Sequence, residues 1–262
     1  MELDDRHSLQ DAVAKVPAIT FGFWLIKIAA TTLGETGGDW VTMSLNLGYP
    51  VGTGIFAALF VVLVHAQVKA SRFHPVVYWA TIVATTTLGT TMADFFDRSI
   101  GVGYPGGASI IGLLLIISLF VWHRVEGTVS IASVTAPRAE WFYWCTILFS
   151  QTLGTALGDW TAGADRGGLG LGYENAALLF GGALVVVAPL YFWTRVSRTL
   201  LFWMAFVLTR PLGATVGDFL DKPHSAGGLQ LSRLYASVAL LVVMALCVVL
   251  LPQRAARAGE GA

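Results

Sequence analysis

Four aspartates in this chain occupy the same place in a repeated ten-residue pattern, and they are the side chains best suited to bind a charged ligand. The pattern reads TTLGETGGDW at residues 31–40, and it returns at 86–95, 151–160 and 210–219 without a gap. Leu, Gly, Asp and an aromatic residue keep their places in every copy. Carboxylate oxygens bind hard cations and protons, so each copy supplies one candidate ligand. The four candidates are Asp39, Asp94, Asp159 and Asp218.

Further oxygen-bearing residues share a helix face with these aspartates. On a helix, the positions seven and four residues before each Asp fall on one stripe with it. The first copy alone has a second acid, Glu35, one turn before Asp39. Two carboxylates at this spacing can reach one hard cation such as Mg²⁺, Mn²⁺ or Ca²⁺, or a monovalent ion, so this pair is the candidate metal site. The hydroxyls seven residues before the acids belong to Thr32, Thr87 and Thr152.

Two basic residues lie inside the same apolar segments, Lys27 in the first copy and Arg210 in the fourth. We interpret them as counter-ions of the acids, or as gating groups that compete with a cation for the carboxylates. Five intramembrane acids against two bases leave a surplus of three negative charges. Such a surplus in a low dielectric requires protons or a bound cation, so no cofactor other than a cation is expected.

The elements that carry these residues are membrane helices. The 262 residues are 55% hydrophobic and 12% charged, with a mean hydropathy of +0.69, whereas soluble domains carry about 25% charged residues. Apolar runs of about 20 residues match the length of a membrane-spanning helix. We therefore predict an all-α membrane protein of eight transmembrane helices, in a single membrane domain over 1–262. Its four two-helix repeats are predicted at about 18–70, 75–124, 139–195 and 199–251.

Each predicted repeat contains two spans, so all four repeats enter the membrane in the same sense and are parallel-oriented. The four aspartates then lie at one depth and form either an acidic ring or two facing pairs. The alternative is that Asp and its aromatic neighbour only mark the outer end of each odd-numbered helix. Glycines at spacing four on the opposite face, such as Gly34 and Gly38, favour close helix packing.

The distribution of basic residues predicts the orientation of the chain. Ten lysines and arginines lie at the termini and at the exits of even-numbered spans, against four in the opposite loops, which places both termini in the cytoplasm. The four include Arg98, Arg166 and Lys222, which we interpret as members of solvated ion pairs. We expect the tail beyond Leu251 to be disordered. The ten are Arg6, Lys15, Lys69, Arg72, Arg124, Arg138, Arg195, Arg198, Arg254 and Arg257, and the fourth residue of the opposite loops is Arg233.

The repeated Thr-Leu-Gly…Gly-Asp-Trp block resembles the bacterial integral-membrane family that is described as carrying a "repeat of unknown function". The resemblance extends over nearly the whole chain. It implies a multi-pass protein of the bacterial inner membrane that is built from repeated two-helix units. The resemblance brings no established chemistry with it.

A polar stripe with carboxylates inside a membrane favours a secondary transporter or exporter of a cation, with the bilayer, a small cation and protons as partners. The alternative is a non-transporting scaffold or binding module whose polar stripes only pack helices. No Ser-His, His-Glu-x-x-His or Gly-x-Ser-x-Gly arrangement is present, so we do not expect an enzyme. The net charge of zero and the lack of a basic patch give no indication of nucleic-acid binding.

Overall fold

The computed structural model describes residues 13–257, which contain eight α-helices and one two-stranded sheet. Arg6, one of the charges behind the predicted orientation, lies outside the described residues. Strand β1 (Val13–Pro17) precedes the first helix and strand β2 (Ala255–Arg257) follows the last one. The helices are α1 (Phe21–Asp39), α2 (Gly48–Lys69), α3 (Pro75–Asp94), α4 (Gly103–Glu126), α5 (Pro137–Ala162), α6 (Tyr173–Trp193), α7 (Arg198–Asp221) and α8 (Arg233–Leu250).

Local sequence accounts for where the odd-numbered helices begin. The Thr20 hydroxyl accepts a hydrogen bond from the Phe23 amide at 3.2 Å, and prolines occupy the first positions of α3 and α5. Both devices satisfy or remove backbone donors that have no partner at a helix start. The chain stays helical beyond each aspartate, through π-helical segments at Trp40–Ser44 and Phe95–Ile100 in the first two copies. Asp39 and Asp94 are the last residues of α1 and α3, and Asp159 and Asp218 lie three residues before the ends of α5 and α7, so the aspartates lie near helix ends as the alternative interpretation expected.

The four odd-numbered helices form a closed inner ring. Helix α1 packs against α3, α3 against α5, α5 against α7, and α7 returns to α1. Each even-numbered helix packs on the outside of this ring, against the inner helix of the following repeat: α2 on α3, α4 on α5, α6 on α7 and α8 on α1. The last repeat thus closes onto the first, and the four copies surround one central axis.

Glycines of the motif set the spacing within the inner ring. In each repeat, the glycine that precedes the aspartate by five residues packs against the following repeat. Its contact there is the residue that precedes the next aspartate by eight. A Cβ added to the glycine would lie within about 3 Å of that residue. Small residues permit this close approach of membrane helices, as the sequence predicted. The contact pairs, in order around the ring, are Gly34 with Thr86, Gly89 with Gln151, Gly154 with Arg210, and Gly213 with Thr31.

The two ends of the ring differ. At one end, here called the terminal face, β1 and β2 pair antiparallel, so both ends of the described chain lie on the same side. Val16, Val134 and Ala256 are buried there against a cluster of aromatic side chains. The prediction of a disordered tail beyond Leu251 was wrong as far as Arg257, because Ala255–Arg257 pair with β1, and residues 258–262 lie outside the described residues. The opposite end, called the aspartate face, holds the four aspartates and the loops 163–172 and 222–232.

Five helices of the described chain are long and apolar enough to cross a membrane: α2, α4, α6, α7 and α8. The four outer helices expose leucine, isoleucine, valine and phenylalanine side chains, as helices in contact with lipid do. Helices α1, α3 and α5 are less apolar because they carry the polar residues that face the interior. The chain is thus an all-α protein with the features of a multi-pass membrane protein.

Candidate functional site

The four motif aspartates meet at the aspartate face, one from each inner helix. All four are buried, and none is more than 4% exposed. Two basic side chains join them into two bridged pairs. Arg98 contacts Asp94 at 2.7 Å and Asp159 at 3.5 Å. Lys222 contacts Asp218 at 2.9 Å and also pairs closely with Asp39.

Our interpretation of Arg98 and Lys222 as members of solvated loop pairs is wrong. Each lies four residues after an aspartate, one helical turn further on, and folds back between the acids. The signal that could have identified them is this i, i+4 spacing from a buried acid to a base. The third pair, Asp165 with Arg166 at 3.2 Å, is exposed as predicted.

Charged residues just beyond the motif change the charge balance inside the bundle. Arg98, Lys222 and Arg233 add three bases, and the buried Asp97 and Asp221 add two acids. Seven acids then stand against five bases, so the surplus falls from three negative charges to two. Arg233 joins the Lys222 pair, with its Nε 2.9 Å from Asp221 and 3.9 Å from Asp39.

Arg210 precedes Asp218 by eight residues, and its guanidinium reaches the level of the residues that precede the aspartates by four. Its Nη2 donates to Glu35 Oε2 at 3.0 Å, to Thr90 Oγ1 at 2.5 Å and to Thr155 Oγ1 at 2.6 Å. These partners come from α1, α3 and α5, so one side chain of α7 contacts all three other inner helices. The guanidinium thereby supplies the counter-ion of Glu35 that the sequence indicated.

Lys27 differs from Arg210. Its side chain is fully buried, and its Nζ lies 3.5 Å from Gln151 Oε1 and 3.8 Å above the centroid of the Phe206 ring. No acid within residues 13–257 lies at ion-pair distance from it. The interpretation of Lys27 as a counter-ion of the carboxylates is therefore wrong for this structure. A helix position alone could not show which of its neighbours Lys27 would meet.

The predicted threonines are buried, but their hydroxyls are engaged within their own helices. Thr32 donates to the Ile28 carbonyl at 3.0 Å, and Thr87 and Thr152 make the equivalent bonds at 2.8 and 2.9 Å. The residues eight positions before the aspartates contact the neighbouring inner helix instead. Thr31 donates to the Thr209 carbonyl of α7, and Arg210 donates to the Thr86 carbonyl of α3.

One half of the acidic layer contains a third carboxylate. Ligand atoms of Glu35, Asp39 and Asp218 lie within 4.8 Å of one another, and all three residues are buried. From their spacing we predicted that Glu35 and Asp39 act together. We did not predict Asp218 as their neighbour, because α7 lies beside α1 only when the four repeats close into a ring. Three carboxylates at this distance suit an oxygen-coordinated cation. Lys222 Nζ, which contacts two of them, provides the positive charge there.

A cleft of about 430 Å³ reaches the acidic layer at the aspartate face. Tyr104, Asp159, Asp165 and Tyr173 line it, together with the glycine-rich loop 163–172. At the terminal face the same axis is closed, because Tyr78 and Tyr143 share a hydrogen bond of 2.7 Å between their hydroxyls and are surrounded by buried aromatic rings. Of the four motif aspartates, Asp159 is the one that lines this cleft.

Comparison with known proteins gives a family and no activity. No curated protein matches the chain, and no solved structure matches it. Four consecutive segments, residues 22–73, 77–128, 142–197 and 201–254, match the family described as "Repeat of Unknown Function (DUF347)". These segments cover most of the sequence and contain all four aspartate motifs. The chain therefore belongs to this family of repeat-containing proteins, in agreement with the resemblance of its motif.

Proposed function

We propose that this chain transports a cation across the membrane, and that Glu35, Asp39 and Asp218 form the binding site. The observation that carries the proposal is the convergence of these three buried carboxylates within 4.8 Å of one another. Such a group inside a membrane bundle is expensive unless cations or protons neutralise it, and it therefore marks a functional site by default. Hard oxygen ligands favour Mg²⁺, Mn²⁺, Ca²⁺ or a monovalent ion.

Lys222 gives the proposed site a means of exchange. Its ammonium bridges Asp39 and Asp218, so an arriving cation would have to displace it or share the carboxylates with it. A monovalent ion would substitute one positive charge for another on these carboxylates, and a divalent ion would add a second that neutralises part of the negative surplus. Protons on the acids would neutralise it in the same way. The proposed mechanism is thus a competition among the ion, Lys222 and protons for the same three carboxylates.

In this proposal the terminal face lies in the cytoplasm, as the basic residues predict, and the cleft at Asp159 opens to the other side. Parallel repeats around an axis along the membrane normal are one of the known plans of secondary transporters. The tyrosine pair Tyr78–Tyr143 would have to separate for the ion to leave toward the terminal face.

The test is ion flux in proteoliposomes that contain the purified chain. Mn²⁺, Mg²⁺, Ca²⁺ and Na⁺ are offered in turn, with an internal dye that reports the ion and a second that reports pH. We expect flux of at least one ion above that of empty vesicles, and we expect Glu35→Gln, Asp39→Asn and Asp218→Asn each to abolish it. Glu126→Gln, at the pair with Arg138 on the terminal face, is the matched control and should retain it.

A second measurement addresses the role of Lys222. In detergent, Lys222→Gln should bind the transported ion more tightly than the wild type, because the resident ammonium no longer competes for Asp39 and Asp218. Background flux in the wild type for every ion, with unchanged ion binding in Lys222→Gln, would reject transport. We would then interpret the chain as a non-transporting scaffold. The pairing of most of the ring's acids with bases is the observation that favours this alternative.

A further inference from the structure

Within residues 13–257, Lys27 has no anionic partner in the middle of the bundle. Lys27 occupies the position twelve residues before Asp39, and the equivalent positions in the other repeats hold Ile82, Ile147 and Phe206, all fully buried. The ammonium therefore lies in an otherwise apolar layer. Its polar contact is a single oxygen, Gln151 Oε1 at 3.5 Å, and the Phe206 ring lies beneath it. A buried cation without an anionic partner is strongly unfavourable.

A second cation, Arg210, raises the electrostatic cost of a positive charge on Lys27. Arg210 uses its Nη2 for Glu35 and the threonines, but its buried Nε has no hydrogen-bond partner among the described residues. In the same part of the chain, the buried Gln151 Nε2 and Thr86 Oγ1 also have none. Arg210, Gln151 and Thr86 are equivalent residues of three repeats, eight positions before their aspartates, so they lie in one layer, a turn from Lys27.

Unpartnered N–H and O–H groups beside two positive charges indicate which ligand is missing. Buried donors are normally satisfied, and each unpaired one costs about 1–3 kcal/mol. Water could accept hydrogen bonds from these groups, but Lys27 would then have to lose its proton to avoid a buried unpaired charge. An anion satisfies the donors and allows Lys27 to keep its proton. The carboxylate closest to this layer, Glu35, already accepts from Arg210 and Thr90.

We propose that a small monovalent anion of the halide class, such as chloride, binds between Lys27, Gln151 and Arg210, with the Thr86 hydroxyl as a further donor. This anion site lies on the central axis, between the acidic layer and the aromatic seal at the terminal face. It does not depend on the proposed cation transport. The anion would screen Lys27 from Arg210 and hold these helices of the inner ring together.

The experiment measures thermal unfolding of the full chain in detergent, in sodium chloride, bromide and gluconate at equal ionic strength. A ligand that binds only the folded state raises Tm as its concentration exceeds its Kd. We expect a saturable rise in Tm with either halide and none with gluconate. In Lys27→Met and Gln151→Leu, the half-saturating halide concentration should increase by about tenfold or more, the equivalent of a single strong contact.

Lys15→Met is the matched control, because Lys15 is a partly buried lysine of the terminal face that pairs with Glu140 at 2.8 Å. Its unfolding temperature is expected to change, but its halide dependence should match that of the wild type. Lys27→Met should fold, because it replaces an unpaired charge in an apolar layer by an apolar side chain of similar length. Equal Tm values in halide and gluconate for the wild type would overturn the proposal, and so would a halide effect that survives in both site variants.

Discussion

Replacing Arg210 by methionine should cause one of the largest losses of stability available in this chain. Arg210 is fully buried, and its Nη2 donates to Glu35 at 3.0 Å and to Thr90 and Thr155 at 2.5 and 2.6 Å. Methionine keeps most of the volume but leaves the Glu35 carboxylate buried without its cation. Removing one partner of a buried ion pair costs about 3–5 kcal/mol.

A second substitution separates the charge effect from the packing effect. Glu35→Gln in the Arg210→Met background removes the unpaired charge, so the double variant should be more stable than Arg210→Met alone. The coupling energy between the two positions should be about 2 kcal/mol. The assay is equilibrium unfolding in mixed micelles, followed by the fluorescence of the nine tryptophans. A loss below about 1 kcal/mol for Arg210→Met, or no recovery in the double variant, would refute the argument that Glu35 is held as a charged partner of Arg210.

Three other substitutions test separate features. Lys222→Met should destabilise the chain by more than Arg166→Met in the same unfolding assay, because Lys222 bridges two buried acids and Arg166 belongs to an exposed pair; equal losses would contradict the bridging role. Gly34→Ala should lower Tm, since its Cβ would overlap Thr86, whereas Gly182→Ala meets open space and should not. Burial raises the pKa of Asp97, in the segment beyond α3, to about 7. The contribution of Asp97 to stability is full below pH 4 and is lost as the pH rises through 7. Asp97→Asn should therefore gain stability relative to the wild type between pH 5 and 8, and a pH-independent difference would contradict this.

The repeat determined what could be predicted from the sequence. Four ungapped copies of one motif indicated equivalent helices, and this equivalence is the reason that Asp39, Asp94, Asp159 and Asp218 were selected together. The packing role of the motif glycines also followed from their spacing, and the structure shows them against the neighbouring repeat. These features are local in sequence or repeated in it, so no tertiary information was needed to find them.

The contacts of the threonines could not be predicted from a helical wheel. A wheel places the residue seven before the aspartate on its face, and this selected Thr32, whereas in the structure it is Thr31 that donates to the neighbouring inner helix, at the Thr209 carbonyl. A wheel describes one helix by itself. Which of its residues meet a neighbour depends on contacts between repeats, and these are absent from any one segment.

Asymmetry among the repeats is what makes one half of the acidic layer different from the other. Bases follow the aspartates by one turn in the second and fourth repeats alone, as Arg98 and Lys222, so an arrangement of four equivalent acids becomes two bridged pairs. Glu35 then adds a third carboxylate to the Lys222 pair, and the equivalent residue beside the Arg98 pair is a threonine in both neighbours. The Lys222 half therefore brings three carboxylates within reach of one cation, whereas Arg98 holds two aspartates that have Thr90 and Thr155 in the place of Glu35. Transplanting the acid tests this reasoning: Thr155→Glu combined with Glu35→Gln should move ion binding toward Asp159, and ion binding that is simply lost would show that Lys222, and not the third carboxylate, defines the site.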